Sequence, residues 1–361
     1  MKKLLFVLFF SFIIVAFPSV VRAVDNYIDS IYQVKTTQNV VYGQALGYNG
    51  KQETLLLDLY QPEDGGSEKR PLIIFIHGGS FVAGDKSVYT DNAVDLAKKG
   101  YVVASINYRL DTTHNTPYNA KSPDLDKPIS SSRADTLMAL RFLLSKPEYR
   151  INDKIVFVGG SSAGAITALY TAYSEEVDAK KIKAVYSIAG TVIDSDFDLI
   201  DKGDPPSILF SGTTDGIIPY EMAKGTVDKL KKVGVKAVLV TYKGEGHEII
   251  SKENFDIHQR LAKFLSPYAQ GKTGKKKKVT PTVTSAVTDK PKVTVKPSIT
   301  KGLSPTSIKQ PTATPTFTPT PTTIPLTMEG LIENYLSNNA AFDLNKDGIV
   351  NGFDYFQLYK K

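Results

Sequence analysis

Gly160-Ser161-Ser162-Ala163-Gly164 sets a hydroxyl between small residues, just after the apolar run Ile155 to Val158 and just before an apolar helical stretch. A serine in a G-x-S-x-G turn of that kind is a candidate nucleophile. Small neighbours permit a turn tight enough to lift the hydroxyl clear, and the following helix points its first N–H groups toward it. Serine at its ordinary pKa is a poor nucleophile, so a base must take its proton and a carboxylate must orient that base. The chain has four histidines. His77 is committed to a turn before Gly78-Gly79, His114 lies in a polar stretch, and His258 falls in a helical pattern. His247 sits in Gly244-Glu245-Gly246-His247-Glu248, directly after the last apolar run, where an imidazole can reach across to a serine. Asp215, in LFSGTTDGIIP, follows the run Ile208 to Phe210 and precedes His247 by 32 residues. The order Ser162, Asp215, His247 is the one that strand-to-loop geometry demands of such a trio. Asp194, Asp196, Asp198 and Asp201 are rival acids, crowded into one loop.

Acyl transfer also develops negative charge on a carbonyl oxygen, and removing a single donor to that oxygen costs on the order of 3 kcal/mol. After the run Leu72 to Ile76, the turn His77-Gly78-Gly79-Ser80 can present free backbone N–H groups. Far downstream a different chemistry is encoded. Asp343, Asn345, Asp347, Asn351 and Asp354 stand at positions 1, 3, 5, 9 and 12 of a twelve-residue loop, with Gly348 at 6 and the Ile349 carbonyl at 7. That oxygen pattern is a calcium loop, with Asp354 where glutamate is usual.

The elements that must position these groups are legible as short apolar runs alternating with amphipathic stretches. The runs are Leu72 to Ile76, Tyr101 to Ser105, Ile155 to Val158, Ala184 to Ile188, Ile208 to Phe210 and Ala237 to Val240. Leu137, Leu140 and Leu144 recur at helical spacing between the second and third, as a helix laid on a sheet requires. Val40 to Ala45 and Leu55 to Tyr60, separated by Gly47, Asn49 and Gly50, predict an antiparallel hairpin at the sheet's edge. The fold class is therefore α/β, a mostly parallel sheet with helices on both faces and functional groups at the strands' carboxyl ends.

With those motifs in view, residues 35 to 268 resemble the α/β-hydrolase superfamily, specifically its esterase/lipase group with an HGG-type oxyanion turn. LLLDLYQP, HGGSFVAGDK, ASINYRL, GGSSAGA, SGTTDGIIP and GEGHE fall where that group carries its landmarks. The resemblance implies a triad of Ser162, Asp215 and His247, oxyanion donors at Gly79, Ser80 and Ala163, and no cofactor for catalysis. It departs at Ser80, where many members have a third glycine. Carboxylesterase, acetylxylan esterase and feruloyl esterase activities occur in the group, so the implied substrate is an ester, including acylated polysaccharide. The cap region, residues 110 to 130, is short and polar and predicts an open site for small or sugar-linked acyl groups, with long-chain lipids disfavoured. The calcium loop resembles a single dockerin repeat or one EF-hand, which implies Ca2+ in the tail and a cohesin-like scaffold protein as partner. Two alternatives share the fold: a serine peptidase of the prolyl-oligopeptidase kind, and a non-catalytic surface or scaffold-associated protein.

Composition divides the 361 residues into four parts. Residues 1 to 23 open with Lys2 and Lys3, run apolar from Leu4 to Phe17 apart from Ser11, and end in Val21-Arg22-Ala23. Fourteen residues fall short of the roughly 20 that span a bilayer as a helix, so this segment reads as a secretory signal and the protein as secreted or cell-surface associated. Residues 24 to 270 form the catalytic body. Residues 271 to 327 hold 9 of the 20 prolines and 16 threonines, a composition that cannot repay chain ordering and reads as a linker. Residues 328 to 361 form the calcium module. Of the formal charge of +7, the signal carries +3 and the linker +9, which leaves the remainder mildly acidic and argues against a nucleic-acid partner. The chain has no cysteine, which excludes disulfides and thiolate chemistry.

Overall fold

A computed structural model of the chain describes residues 26–271 apart from 64, 65 and 115. The signal expected over residues 1 to 23, the linker beyond its first residue, and the calcium module with Asp343, Asn345, Asp347, Ile349, Asn351 and Asp354 lie outside the described residues.

Eight strands form one sheet: β1 (Gln33–Leu46), β2 (Gln52–Glu63), β3 (Arg70–Ile76), β4 (Val102–Ile106), β5 (Ile151–Ser161), β6 (Ile182–Ile188), β7 (Ser207–Gly212) and β8 (Ala237–Tyr242). Their spatial order is β1-β2-β4-β3-β5-β6-β7-β8. β1 and β2 are the antiparallel hairpin at the edge, with Leu46 opposite Gln52, and β2 also runs antiparallel to β4. All remaining pairs are parallel. Among the described residues, six α-helices accompany the sheet: α1 (Thr90–Lys98), α2 (Asp126–Leu144), α3 (Ala163–Ala172), α4 (Tyr220–Lys232), the single turn α5 (Ile249–Lys252) and α6 (Asn254–Ala269).

Strand side chains alternate between faces, and the core divides accordingly. Leu72, Ile74 and Ile76 of β3 join one cluster with Leu137 and Leu140 of α2, Leu169 of α3 and Leu230 of α4. Ile73 and Phe75 of the same strand join the other, with Leu96 of α1 and Leu261 of α6. β3 is buried along its whole length, so its sequence reads as a continuous apolar run rather than an alternation. β5 extends four residues before its apolar run because Asn152, Asp153 and Lys154 face outward while their backbone continues the strand.

The end of β4 is tied to α2 by a buried ion pair. Arg109 Nη2 lies 2.8 Å from Asp135 Oδ1, and the Arg109 backbone N–H donates to Asp135 Oδ2 at 2.8 Å. The Asp135 side chain is fully buried. Asp135→Ala leaves the guanidinium without its counter-charge, held only by the Leu46 and Ser131 carbonyls, and leaves one backbone donor without its acceptor, so a loss of about 3 kcal/mol is expected. Urea unfolding should report it as a lowered midpoint with unchanged slope.

Candidate active site

The junction of β5 and α3 is built by close backbone approach. A Cβ on Gly160 would stand 2.3 Å from the Ile76 carbonyl oxygen, and one on Gly164 2.1 Å from the same atom. The end of β3 thus packs directly against this turn, and both flanking positions exclude any side chain. Ser162, between them, is held at φ 54° and ψ −122°, a conformation costing a non-glycine residue on the order of 1–3 kcal/mol. Its N–H donates to the Ile188 carbonyl at the end of β6, at 2.9 Å, which helps hold the turn in place.

The loops after β7 and β8 bring the other two groups to it. Thr214 N–H donates to the Glu245 carbonyl at 2.9 Å, and Gly244 N–H to Thr213 Oγ1 at 2.9 Å, so the two loops are stitched together. Asp215 Oδ1 accepts the N–H groups of Ile217 and Ile218, both at 2.9 Å. Its Oδ2 lies 2.8 Å from His247 Nδ1, and His247 Nε2 lies 2.8 Å from Ser162 Oγ. A carboxylate accepts only, so Nδ1 carries the proton and Nε2 is left free to accept from the serine hydroxyl. The Asp215 side chain is fully buried and that of His247 is 10% exposed. This chain of contacts can carry a proton off Ser162 and hold the resulting imidazolium beside a carboxylate. The rival acids are elsewhere: Asp196 accepts from Tyr170, while Asp201 caps its own loop at Gly203.

The turn after β3 faces the same point. Gly78 approaches so closely that a Cβ there would lie 3.1 Å from the Ser162 Cβ. Among the described residues, the backbone N–H groups of Gly79, Ser80 and Ala163 have no protein acceptor. The turn is held in an unusual conformation, with left-handed φ at Gly79 (114°), Ser80 (51°) and Phe81 (63°). Serine and phenylalanine thus occupy backbone states in which glycine would sit more easily.

His77 contributes more to this turn than its sequence position indicated. Its Nδ1 donates to the Gly78 carbonyl at 2.7 Å, and its ring stacks on Tyr108 with centroids 4.5 Å apart. In a trans peptide the C=O and the following N–H point in opposite directions. Holding the Gly78 oxygen therefore fixes the direction of the Gly79 N–H. His77 Nε2 is buried with no partner among the described residues, and burial pushes the imidazole pKa down to about 4, so it stays a neutral ring. His258 is engaged with Asn92 and Asp95 between α1 and α6.

The open site expected from the polar segment 110 to 130 is not what stands beside Ser162. Tyr118, Ala120 and Leu125 of that segment turn inward and are at most 5% exposed. The polar residues that dominated its composition bond within the segment: Asp111 accepts from Thr113 and Tyr118, and Asn119 from the Lys121 N–H. Next to the serine is a narrow, largely apolar recess, with Ser80, Phe81, Tyr118, Leu125, Ile166 and Ile218 in its walls.

Sheet order, the strained turn and the acid and histidine on successive strand-to-helix loops together define an α/β-hydrolase fold. Residues 57–196 match the family model described as BD-FAE, and residues 192–277 match that of the TAP-like protein family. The chain is 25% identical over 265 residues to an isoprenylcysteine alpha-carbonyl methylesterase of Arabidopsis thaliana, covering 60% of this chain and 57% of that protein. It is 24% identical over 236 residues to the esterase LipC of Mycobacterium tuberculosis, covering 55% and 58%. The chain thus spans less than two thirds of the length of these curated relatives. Among solved structures, Thermogutta terrifontis esterase 2 phosphorylated by paraoxon aligns with a TM-score of 0.51 at 22% identity, over 65% of this chain and 93% of that one. These relatives are named methylesterase and esterase.

Proposed function

We propose that this protein is a serine esterase that hydrolyses carboxylic esters through an acyl-enzyme on Ser162. The observation that carries the reading is the unbroken contact chain from Ser162 Oγ through His247 to Asp215, at 2.8 Å and 2.8 Å. Ser162 Oγ attacks the ester carbonyl carbon while its proton passes to His247 Nε2. Charge gathering on the carbonyl oxygen is met by the unpaired N–H groups of Gly79, Ser80 and Ala163. Asp215 stays ionised and stabilises the imidazolium. Collapse breaks the bond to the alcohol oxygen, which leaves with the proton from His247. A water then gives its proton to His247, attacks the acyl-enzyme and releases the carboxylic acid, restoring Ser162.

Purified protein assayed against aryl acetates, acetylated xylan, feruloyl esters and a dipeptide amide tests this reading. Turnover of one or more of the esters, and none of the amide, is expected. Turnover of the amide instead would favour a peptidase of the prolyl-oligopeptidase kind, and inertness toward every substrate would favour a non-catalytic scaffold-associated role.

The sequence outside the described residues supports three further parts of the proposal. The first segment exports the protein, the Pro/Thr-rich stretch tethers the catalytic body, and the tail binds Ca2+ and docks on a cohesin-like scaffold near acylated polysaccharide. Asp343, Asp347 and Asp354 fall within twelve residues of sequence, and in the proposed loop the repulsion of three carboxylates opposes closure without a cation. A peptide of residues 320 to 361 should therefore gain helical circular dichroism in about 1 mM calcium, and Asp343→Ala should abolish the gain. An unchanged spectrum rejects the metal site.

A further inference from the structure

We infer that the esterase accepts acyl groups of acetyl size, and that Tyr118 is the residue that sets this limit; the inference rests on the esterase reading of Ser162. The direction of the acyl chain follows from the proton's route. The leaving alcohol must receive its proton from His247 Nε2, so it departs on the histidine side. The acyl substituent must then lie on the side away from His247. On that side is the recess walled by Phe81, Tyr118, Leu125, Ile166, Ile217 and Ile218, which His247 does not line.

That recess has a volume of about 10 Å3, close to the least that admits one water. One methyl group can be accommodated there with small adjustments, whereas a longer alkyl chain or an aromatic ring must displace a wall. Most of the walls belong to the fold: Ile166 lies on α3, and Ile217 and Ile218 hold the Asp215 carboxylate through their N–H groups. Tyr118 comes instead from the irregular segment between β4 and α2, and side-chain contacts fix it there. Its hydroxyl donates to Asp111 Oδ2 at 2.9 Å. The Asp111 N–H in turn donates to the Phe81 carbonyl at 2.8 Å, in the turn that carries the oxyanion donors. The Phe81 ring meets Tyr118 edge-on at 6.3 Å and 82°. The His114 ring stacks on Tyr118 at 4.0 Å, and His114 Nε2 reaches Asp124 Oδ2 at 3.2 Å. A ring held by its hydroxyl, by an edge contact and by a stacked imidazole does not swing aside to admit a long acyl chain.

The test is kcat/KM for p-nitrophenyl acetate, propionate, butyrate and hexanoate, with methyl ferulate, on the full chain and on Tyr118→Ala, Tyr118→Phe and Leu125→Ala. Wild type should favour acetate over hexanoate by about 100-fold, the scale of forcing methylenes into a packed site. Tyr118→Ala should reduce that ratio at least about tenfold, and Tyr118→Phe, which keeps the ring, should retain it. Leu125→Ala, which removes a neighbouring wall, should move the ratio in the same direction even if Tyr118→Ala does not fold. A wild type that prefers butyrate, hexanoate or ferulate overturns the inference. So does a folded Tyr118→Ala and Leu125→Ala pair whose ratios match wild type. If Ser162 reacts with an organophosphate while long esters are preferred, the inference alone fails. If Ser162 is inert and no ester is cleaved, the esterase reading fails with it.

Discussion

Ser162→Ala is expected to lower kcat for an aryl acetate by about 10^5–10^6-fold, leaving KM within a few-fold of wild type. Residual turnover would come from the oxyanion donors and from substrate positioning, which the substitution leaves in place. The strained backbone makes the comparison a fair one. Alanine keeps the Cβ that opposes φ 54° and ψ −122°, so native-state strain is nearly unchanged and the fold should persist. The hydroxyl's hydrogen bond is with His247 Nε2, so its removal tests the reacting group rather than a structural tie. Single-turnover assays that retain more than about one hundredth of wild-type activity would contradict a serine nucleophile.

Asp215→Asn should be nearly as severe, lowering kcat by about 10^4-fold while the protein stays folded. The reason lies in which oxygen is already committed. Oδ1 accepts two backbone N–H groups, from Ile217 and Ile218. An asparagine must keep its carbonyl oxygen there, which turns its NH2 group toward His247 Nδ1. The imidazole then has to accept at Nδ1 and carry its proton on Nε2, where it can no longer take one from Ser162. A pre-steady-state assay should show the loss in acylation itself. Activity within about tenfold of wild type would mean that Asp215 does not set the tautomer.

The parts of this site that were legible in the sequence are those governed by periodicity or by tight sterics. Leu137 and Leu140 announced α2 because a helix shows its buried face every three or four residues, and both are buried against the sheet. The run Leu72 to Ile76 announced β3 because a central parallel strand is apolar on both faces. Gly160 and Gly164 were readable because no other residue fits beneath the Ile76 carbonyl. Asp215 and His247 stand after successive strands in the sequence, and the structure brings Asp215 against His247 and His247 against Ser162.

The segment from Leu110 to Leu125 has no such regularity, and its composition misled. Counting polar residues there predicts an open rim, yet Asp111, Thr113 and Asn119 spend their polar atoms on one another and on local backbone. Tyr118 and Leu125 are thereby free to face inward. An irregular stretch carries no period from which sidedness can be read, so only the three-dimensional path reveals it. His77 was obscured differently. Its position before two glycines pointed to a turn, correctly, but the bond from Nδ1 to its neighbour's carbonyl depends on a ring orientation fixed by Tyr108, 31 residues away in sequence.

The central claim, that Ser162 is the atom acylated in turnover, is tested most directly by covalent capture. Full-length protein treated with paraoxon and examined by intact and peptide mass spectrometry should gain one diethyl phosphoryl group, located on Ser162, with ester turnover lost in proportion to the labelled fraction. His247→Ala should slow that labelling strongly, because the serine then has no base. Stoichiometric labelling at any other residue with loss of activity, or full activity in protein labelled at Ser162, would contradict the account.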